Sequence, residues 1–568
     1  MEGIDSLRNV KVIATYSELF GGKLPKEHII KLIDNMPLLS SFILLSQIST
    51  DDFEEDTLKK LFKEMYTNMI SNNLTEQGYP KKIMEGVSQN LINKFEEIIE
   101  KNVVFSNQSI LQLWKWILAY GDPNKIGEFQ GTPESVNSTL YLSLSINDYL
   151  YTGDGEISEE LFVELYNNAI FNNVDHIYHT LCRTMLVYTE IAANKDLYEP
   201  NEFLDINKDF LDSYGYTIKE YISVIFALMS VFRKPKNLGD EWLRNIDELF
   251  KDFNIEEPAK EIVLSLMTDF NSISQWAKEE IDSTWNFIEF TKKPLLRVDE
   301  NKFLPFSTNL VYEQLFTNLF FKVRNCYPAK DESFFTFYGK PFERYTQKLA
   351  EHSVNQSKLP YQFVDEFRYG KDKSKHSPDI MIRLGDKLLA VEVKSYKLPL
   401  ASITKATKDS VKSDMNKMVI KPIKQLHDRL KEIRQENHPV LNGVNEIYLM
   451  VVTQGHFPTI EYFETMIEKE IMDYMEFPIK GYFHLDIEEF ESFCQLMERR
   501  RPIFRVLDNK YKNVNRYQRF KNFFFDNGYH LKHNKLFNEN FEKFIDEIGT
   551  TFLDDFIQRK QERNKIKQ

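Results

Sequence analysis

The 568-residue chain has only three cysteines, and Cys182, Cys326 and Cys494 are widely spaced. This excludes a disulfide framework and a CxxC zinc site, and it is typical of a protein in a reducing cytoplasm. The N-terminal sequence MEGIDSLRNV lacks the basic and apolar regions of a signal peptide. The longest strongly apolar run, residues 221–232, is too short to cross a bilayer and predicts a buried helix. We therefore expect a cytoplasmic protein that does not enter a membrane.

Several motifs of catalysis are also missing. The sequence has no phosphate-cradling glycine loop, no HExxH and no GxSxG, so an ATPase, a zincin and a serine hydrolase have no support. His176 and His179 could share a helix face, but no other histidine, cysteine or acid is tied to them by spacing. A zinc site needs more ligands than these two, so we interpret both histidines as structural or surface residues.

The length exceeds what one hydrophobic core supports, and we expect two to four domains. Residues 1–290 have apolar positions at helical spacing and predict a mainly α-helical half. Ser158 is the expected N-cap of one of its helices, and four tryptophans are expected in its core: Trp114, Trp116, Trp276 and Trp285. Residues 291–500 predict an α/β domain, and residues 501–568 a basic, aromatic extension.

The C-terminal half alternates predicted strands with predicted helices. A hairpin at 294–306 and an amphipathic helix at 310–324 are followed by a helix from Gly339 to His352, with Pro341 in its first turn. The strands that follow are expected at 361–369, 379–395, 446–455 and 481–487, with a long helix at 408–435. This αβββαβ order predicts a mixed sheet flanked by helices.

Charge is divided unevenly along the chain, whose net charge is −14. Residues 1–300 contain 28 basic and 49 acidic side chains, whereas residues 301–568 contain 44 basic and 37 acidic ones. Within the second half, residues 371–440 alone carry 16 basic and 9 acidic side chains. A polyanion would be attracted to this region and repelled by the acidic half, although charge blocks also serve solubility alone.

Three polar residues on the predicted hairpin carry the chemistry. Asp379 begins the first arm, and Glu392 and Lys394 lie on one face of the second arm, because alternate strand residues share a face. Two carboxylates can hold Mg²⁺ while waters complete its octahedron. Lys394 would orient or help deprotonate the attacking water and stabilise the transition state of phosphodiester cleavage.

This pattern, Pro378-Asp379 followed after twelve residues by Glu392-Val393-Lys394, resembles the PD-(D/E)XK nuclease superfamily over residues 338–455. The resemblance implies a restriction endonuclease-like fold and a Mg²⁺ cofactor, with Mn²⁺ as an alternative. It implies an acid on the preceding helix, which Glu343 matches, and a polar residue on the following helix, which Gln425 matches. The implied metal ligands are Asp379, Glu392 and Glu343, and the implied catalytic residues add Lys394 and Gln425. Glu366 is an alternative or additional acid.

Further basic residues predict contact with nucleic acid. Lys421 lies one helical turn before Gln425, and a second basic segment interleaved with aromatics follows at 499–521. Cations there could bind phosphates while aromatic faces stack bases. The expected contacts are Lys421, Arg499, Arg500, Arg501, Arg505, Lys512 and Arg516. The alternative is a solvated helix end beside a core strand.

The sequence therefore predicts a cytoplasmic, Mg²⁺-dependent deoxyribonuclease. By analogy of fold, it would act in restriction or antiviral (phage) defence. The acidic half would supply regulation, homo-oligomerisation or a surface for a partner protein. Two alternatives stay open: a catalytically inactive nucleic-acid-binding scaffold, and a nuclease directed at RNA.

Overall fold

The computed structural model describes residues 13–50, 60, 97–98, 103, 105–129, 132–150, 159–171, 176–233, 239–398, 400–529 and 531–567. The chain divides into two compact units that alternate along the sequence. The first unit comprises Met1–Ser158, Glu220–Leu319 and Thr551–Asp554, and the second comprises Glu159–Lys219, Phe320–Thr550 and Asp555–Gln568. The expected boundaries near residues 290 and 500 fall inside the first and second unit, and the three-part division stays a prediction.

The first unit is mainly helical and also contains a small sheet. Its strands are β1 (Arg244–Asn245), β2 (Met267–Asp269), β3 (Leu295–Arg297) and β4 (Lys302–Pro305), in the order β1-β4-β3-β2. The antiparallel pair β3–β4 is the hairpin expected at 294–306. Its helices are Tyr16–Phe20, Lys26–Asn35, Leu38–Ile48, Asn107–Tyr120, Pro133–Asn147, Ile218–Val231, Ile246–Leu249, Glu256–Ser265, Phe270–Glu279, Ile288–Lys292 and Thr308–Tyr312.

Aromatic side chains form the core of this unit. Trp114 is completely buried between the rings of Phe42 and Phe306, at centroid distances of 4.9 and 5.1 Å, and its Nε1 donates to the Phe306 carbonyl at 2.9 Å. Trp116 and Trp285 are buried as expected, whereas Trp276 is half-buried. The apolar run at 221–232 lies in the Ile218–Val231 helix, with most of its side chains buried. Ser158 lies outside the described residues.

Among the described residues, no single helix is both long and apolar enough to cross a bilayer. The helices Lys26–Asn35 and Leu38–Ile48 are long and apolar enough only when they are counted together, and the chain bends by 106° between them.

The second unit contains a five-stranded mixed sheet. Its strands are β5 (Gln362–Val364), β8 (Ile380–Leu384), β9 (Lys387–Lys394), β10 (Glu446–Thr453) and β11 (Gly481–Asp486), in the order β11-β10-β9-β8-β5. β10 runs parallel to both β9 and β11, and the other pairs are antiparallel. Two short strands, β6 (Arg368–Tyr369) and β7 (Lys375–His376), form a separate hairpin. The expected mixed sheet flanked by helices is present.

Helices cover this sheet. The Glu343 helix is Ser333–Asn355 and the Arg429 helix is Lys421–Gln435. Leu426 and Leu430 of the Arg429 helix pack in one core with Ala390 of β9 and Val451 of β10. The other helices of this unit are Glu159–Phe171, Ile177–Thr184, Ile206–Tyr214, Thr317–Arg324, Leu400–Thr404, Lys408–Met415, Glu461–Met472, Ile487–Glu498, Ile503–Lys510, Phe520–Asp526, Lys535–Phe552 and Phe556–Lys567, with π-helical segments at Met185–Ile191 and Asn416–Ile420.

Three helical predictions were wrong in detail. The Glu343 helix begins at Ser333, so Pro341 lies inside it, because buried Phe334, Phe337 and Tyr338 continue its apolar face towards the N-terminus. The long helix at 408–435 is interrupted by Asn416–Ile420, just before Pro422, whose nitrogen cannot donate to the carbonyl one turn earlier. The helix at 310–324 is two helices, Thr308–Tyr312 and Thr317–Arg324.

The strand expected at 361–369 is also shorter than predicted. It ends at Val364, and Arg368 and Tyr369 pair with β7 instead of β8. The side chains of Asp365 and Glu366 between the two segments are exposed, so the chain leaves the sheet there and forms the β6–β7 hairpin.

A buried ion pair joins distant segments of the second unit. Arg183 and Glu491 are both completely buried, and Arg183 donates from Nε to Oε1 at 2.6 Å and from Nη2 to Oε2 at 3.1 Å. The Tyr345 hydroxyl of the Glu343 helix donates to the same Oε1 at 2.6 Å. His179 Nδ1 lies 3.3 Å from Oε2. Glu491 thus connects the helices Ile177–Thr184, Ser333–Asn355 and Ile487–Glu498.

We predict that Glu491→Ala lowers the free energy of unfolding by about 3–5 kcal/mol, because it removes the carboxylate that compensates the buried Arg183 guanidinium. Urea unfolding followed by circular dichroism measures this loss. The matched control is Glu351→Ala, at an exposed position of the Glu343 helix, which should change stability by less than about 0.5 kcal/mol. Equal losses in the two variants would contradict the role given to the buried pair.

Candidate active site

The hairpin β8–β9 places Asp379 beside Glu392. Ile380 pairs with Val391, so Asp379 lies at the next position of the ladder, across from Glu392. The Asp379 Oδ2 accepts a hydrogen bond from the backbone N–H of Val393 at 2.6 Å, which fixes the carboxylate against β9. Gly385 closes the hairpin with a φ of 62°, in the left-handed region that favours glycine in such tight turns.

Glu392 is completely buried, and each of its carboxylate oxygens accepts from a cation. Lys394 Nζ donates to Oε1 at 2.5 Å, and Arg429 Nη1 donates to Oε2 at 2.6 Å. The same Arg429 nitrogen lies 4.0 Å from Asp379 Oδ1 and 3.4 Å from the carbonyl oxygen of Ser377. Two cations therefore neutralise a carboxylate on the central strand of the sheet.

A second carboxylate group forms around the other side of Asp379. Glu343, Glu366 and Asp379 each offer one oxygen, and these oxygens lie within 4.8 Å of one another. Gln347, one turn after Glu343, donates from Nε2 to Glu343 Oε1 at 3.3 Å and to the Asp379 carbonyl at 3.0 Å. Glu366 Oε1 lies 2.6 Å from His376 Nδ1, so the hairpin β6–β7 fixes the third acid.

Burial and the crowding of like charges raise the pKa values of two carboxyl groups in this site. Burial, together with the negative charges of Glu392 and Glu343, raises the pKa of Asp379 well above its ordinary value. Burial, followed by the charges of Glu366 and Glu392, also raises the pKa of Glu343. Raised carboxyl pKa values in a converging acidic cluster are typical of functional sites.

The carboxylate group fits a hard divalent cation. Mg²⁺ prefers carboxylate oxygens and waters as ligands, and three carboxylate oxygens from three separate elements converge here. The set Asp379, Glu392 and Glu343 implied by the sequence stays a prediction. In the structure, Glu366 is the third acid of this group. Both oxygens of Glu392 instead accept from protein cations, Lys394 and Arg429.

The Arg429 helix faces the site along one edge. Lys421, Gln425 and Arg429 are spaced by four residues, which places them on one face of the helix. Lys421 is exposed, Gln425 is half-buried and Arg429 reaches Glu392. Sequence reasoning missed Arg429 and Gln347, although each lies one helical turn beyond a residue that it did select.

The predicted nucleic-acid contacts at 499–516 differ in their surroundings. Five of them have exposed side chains: Arg499, Arg500, Arg501, Arg505 and Lys512. Arg516 instead contacts Glu468 at 2.5 Å and lies over the ring of Tyr511 at 5.0 Å, so it belongs to an internal ion pair. Nearby Lys510 is buried and donates to the Arg516 carbonyl, and burial lowers its pKa to about 8.

The second unit holds one further group of side chains that could bind a metal. His456, Asp486 and Glu489 are all buried and converge at the end of β11. Arg519 contacts Asp486 at 2.7 Å and Glu489 at 3.3 Å, and so already compensates both acids. His176 and His179 belong to neither of the two groups of possible metal ligands found among the described residues.

The chain is similar to the type II restriction enzyme HinfI of Haemophilus influenzae. The two sequences are 22% identical in a region that covers 34% of this chain and 74% of the relative. No protein-family profile and no solved structure matches the chain. The relation to a restriction enzyme is distant, and it points to a nuclease.

We predict that Asp379→Asn stabilises the metal-free protein at neutral pH. The folded pKa of Asp379 is raised, so its contribution to stability is present below the unfolded pKa of about 3.9 and is lost as pH rises through the folded pKa. Asparagine carries no charge, and it should raise the midpoint of thermal unfolding by about 2 °C or more at pH 7.5. Thermal unfolding in a chelator measures this.

The same comparison at pH 4 should give a much smaller difference, because Asp379 is then protonated in the wild type. Asp365→Asn, at an exposed position, is the matched control and should leave the midpoint unchanged. A destabilised Asp379→Asn at neutral pH would contradict the electrostatic origin of the raised pKa.

Proposed function

We propose that this protein is a metal-dependent endonuclease that hydrolyses DNA phosphodiester bonds in a site of the PD-(D/E)XK type on a restriction endonuclease-like fold. One observation carries the proposal. Carboxylates from a helix, a loop and a hairpin converge within 4.8 Å beside a buried glutamate that holds a lysine two residues later. The distant similarity to a type II restriction enzyme supports the same class of reaction.

Mg²⁺ is the proposed cofactor, with Mn²⁺ as an alternative. Asp379, Glu343 and Glu366 would hold it, and Glu392 is the further acid that sequence reasoning assigned to this role. When bound, Mg²⁺ supplies a Lewis acid that neutralises charge developing on the phosphate. Three neighbouring carboxylates without a cation repel one another, and this repulsion favours uptake of a divalent ion.

The protein's own groups position the reactants. Lys394 Nζ is held by Glu392 Oε1 and is 37% exposed, so it can donate a proton or a hydrogen bond to a phosphate oxygen or an attacking water. Gln347 fixes both Glu343 and the backbone of Asp379. Gln425 and Lys421 would contact the phosphate backbone from the same edge of the Arg429 helix.

We further propose that the substrate is DNA and that the biological setting is restriction or phage defence in the cytoplasm. The name of the similar protein, a type II restriction enzyme, supports DNA as the substrate. Three free thiols, at Cys182, Cys326 and Cys494, support a reducing compartment.

We predict that Asp379→Asn and Lys394→Ala each reduce Mg²⁺-dependent cleavage of supercoiled plasmid at least 100-fold, because each removes a group that acts on the transition state. Gel assays over a time course measure the rate. The matched control is Lys358→Ala, at an exposed position, which should cleave at the wild-type rate. Equal cleavage by all four proteins would refute the site, and parallel assays on matched RNA would show whether the substrate is RNA instead.

We predict that the triple variant Arg500→Ala/Arg505→Ala/Lys512→Ala weakens DNA binding. Each lost phosphate contact should reduce the slope of log affinity against log salt by about 0.9. Fluorescence anisotropy with a short duplex, in the Lys394→Ala background, measures the slope. Arg516→Ala should instead lower stability, since it leaves Glu468 without its partner. An unchanged slope in the triple variant would exclude this segment as a contact.

A further inference from the structure

Arg429 neutralises the buried acid of the candidate site from outside the sequence motif. Glu392 is completely buried, and a buried carboxylate without counter-charge costs several kcal/mol. Lys394 satisfies only one of its oxygens, Oε1. The other oxygen, Oε2, accepts from Arg429 Nη1 at 2.6 Å.

The Arg429 guanidinium also lies between the two acids of the hairpin. Its Nη1 is 2.6 Å from Glu392 Oε2 and 4.0 Å from Asp379 Oδ1. A divalent cation that bridges Glu392 Oε2 and Asp379 Oδ1 would lie at roughly 2.1 Å from each oxygen for Mg²⁺, in the same region as the guanidinium nitrogen. Because both are cations, the guanidinium and such an ion compete for Glu392 Oε2.

The fold can release this arginine without losing the helix that carries it. Leu426 and Leu430 fix the Arg429 helix in the core. Glu432, on the same helix, accepts from the Tyr369 hydroxyl at 2.8 Å and from Lys375 Nζ at 2.7 Å. The Arg429 side chain itself is 27% exposed, so its guanidinium has a path to solvent.

We propose that Arg429 is a built-in counter-cation, which occupies Glu392 before metal binds and is exchanged for the divalent ion when Glu392 joins Asp379 in its coordination. This inference rests on the proposed metal-dependent function. The exchange explains how both oxygens of Glu392 can accept from protein cations in the folded chain while Glu392 still serves as the metal ligand that the hairpin motif implies. Arg429 is thus a positioning residue that sets the affinity of the site for metal.

The test is isothermal titration of Mn²⁺ into the full chain at pH 8. Arg429→Gln removes the competing charge and should bind Mn²⁺ about tenfold more tightly than the wild type, as expected for one unit charge a few ångströms away. Arg434→Gln is the matched control, because Arg434 lies on the same helix, is exposed and stacks on Phe477 at 5.0 Å. It should bind Mn²⁺ as the wild type does.

Equal or weaker binding by Arg429→Gln, with a thermal unfolding midpoint showing an intact fold, would overturn the exchange. Asp379→Asn separates this failure from a failure of the proposed function. If Asp379→Asn abolishes Mn²⁺ binding while Arg429→Gln does not tighten it, only the exchange is wrong. If Asp379→Asn binds Mn²⁺ like the wild type, the ion lies elsewhere, and both the exchange and the proposed metal site are wrong.

Discussion

The burial of a carboxylate on the central strand of the sheet determines the arrangement around it. β9 has β8 on one side and β10 on the other, and Glu392 near its end is completely buried. A charge in that position needs counter-charges that reach into the interior. Lys394 supplies one from the same strand, and Arg429 supplies the other from the covering helix. The hairpin, the helix and the site are therefore linked by one electrostatic requirement.

The same requirement connects stability with the candidate chemistry. Asp379 and Glu343 have raised pKa values because acids crowd together where burial also penalises their charge. Such a cluster costs the folded chain free energy, and it persists when surrounding structure fixes its members. Val393 fixes Asp379 through its backbone, Gln347 fixes Glu343, and His376 fixes Glu366. Each acid of the cluster thus has its own supporting contact.

Local pattern in the sequence predicted the hairpin, the strands β10 and β11 and the α/β character, because alternation of apolar residues and a Gly-Asp turn act over a few residues. It placed the start of the Glu343 helix too late, since Pro341 favours a first helical turn but tertiary packing of Phe334 and Phe337 extends the helix past it. Arg429 enters the site through a contact between elements distant in sequence, which no local period encodes. Glu366 was named from the sequence as an alternative acid, and the structure brings it to Glu343 and Asp379. Residues 1–290 gave a helical prediction, and the two strands that they add to the small sheet, β1 and β2, have only two and three residues.

The alternation of the two units along the chain has a consequence for synthesis. Arg183 belongs to a segment that ends at Lys219, but its partner Glu491 follows only after the first unit's second segment and all five strands of the mixed sheet. At synthesis rates of about 5–20 residues per second, the interval between these two residues lasts roughly 15 to 60 s. Throughout that time the ion pair that connects three helices of the second unit cannot form. The second unit therefore completes its buried ion pair only after the intervening segment of the first unit has been made.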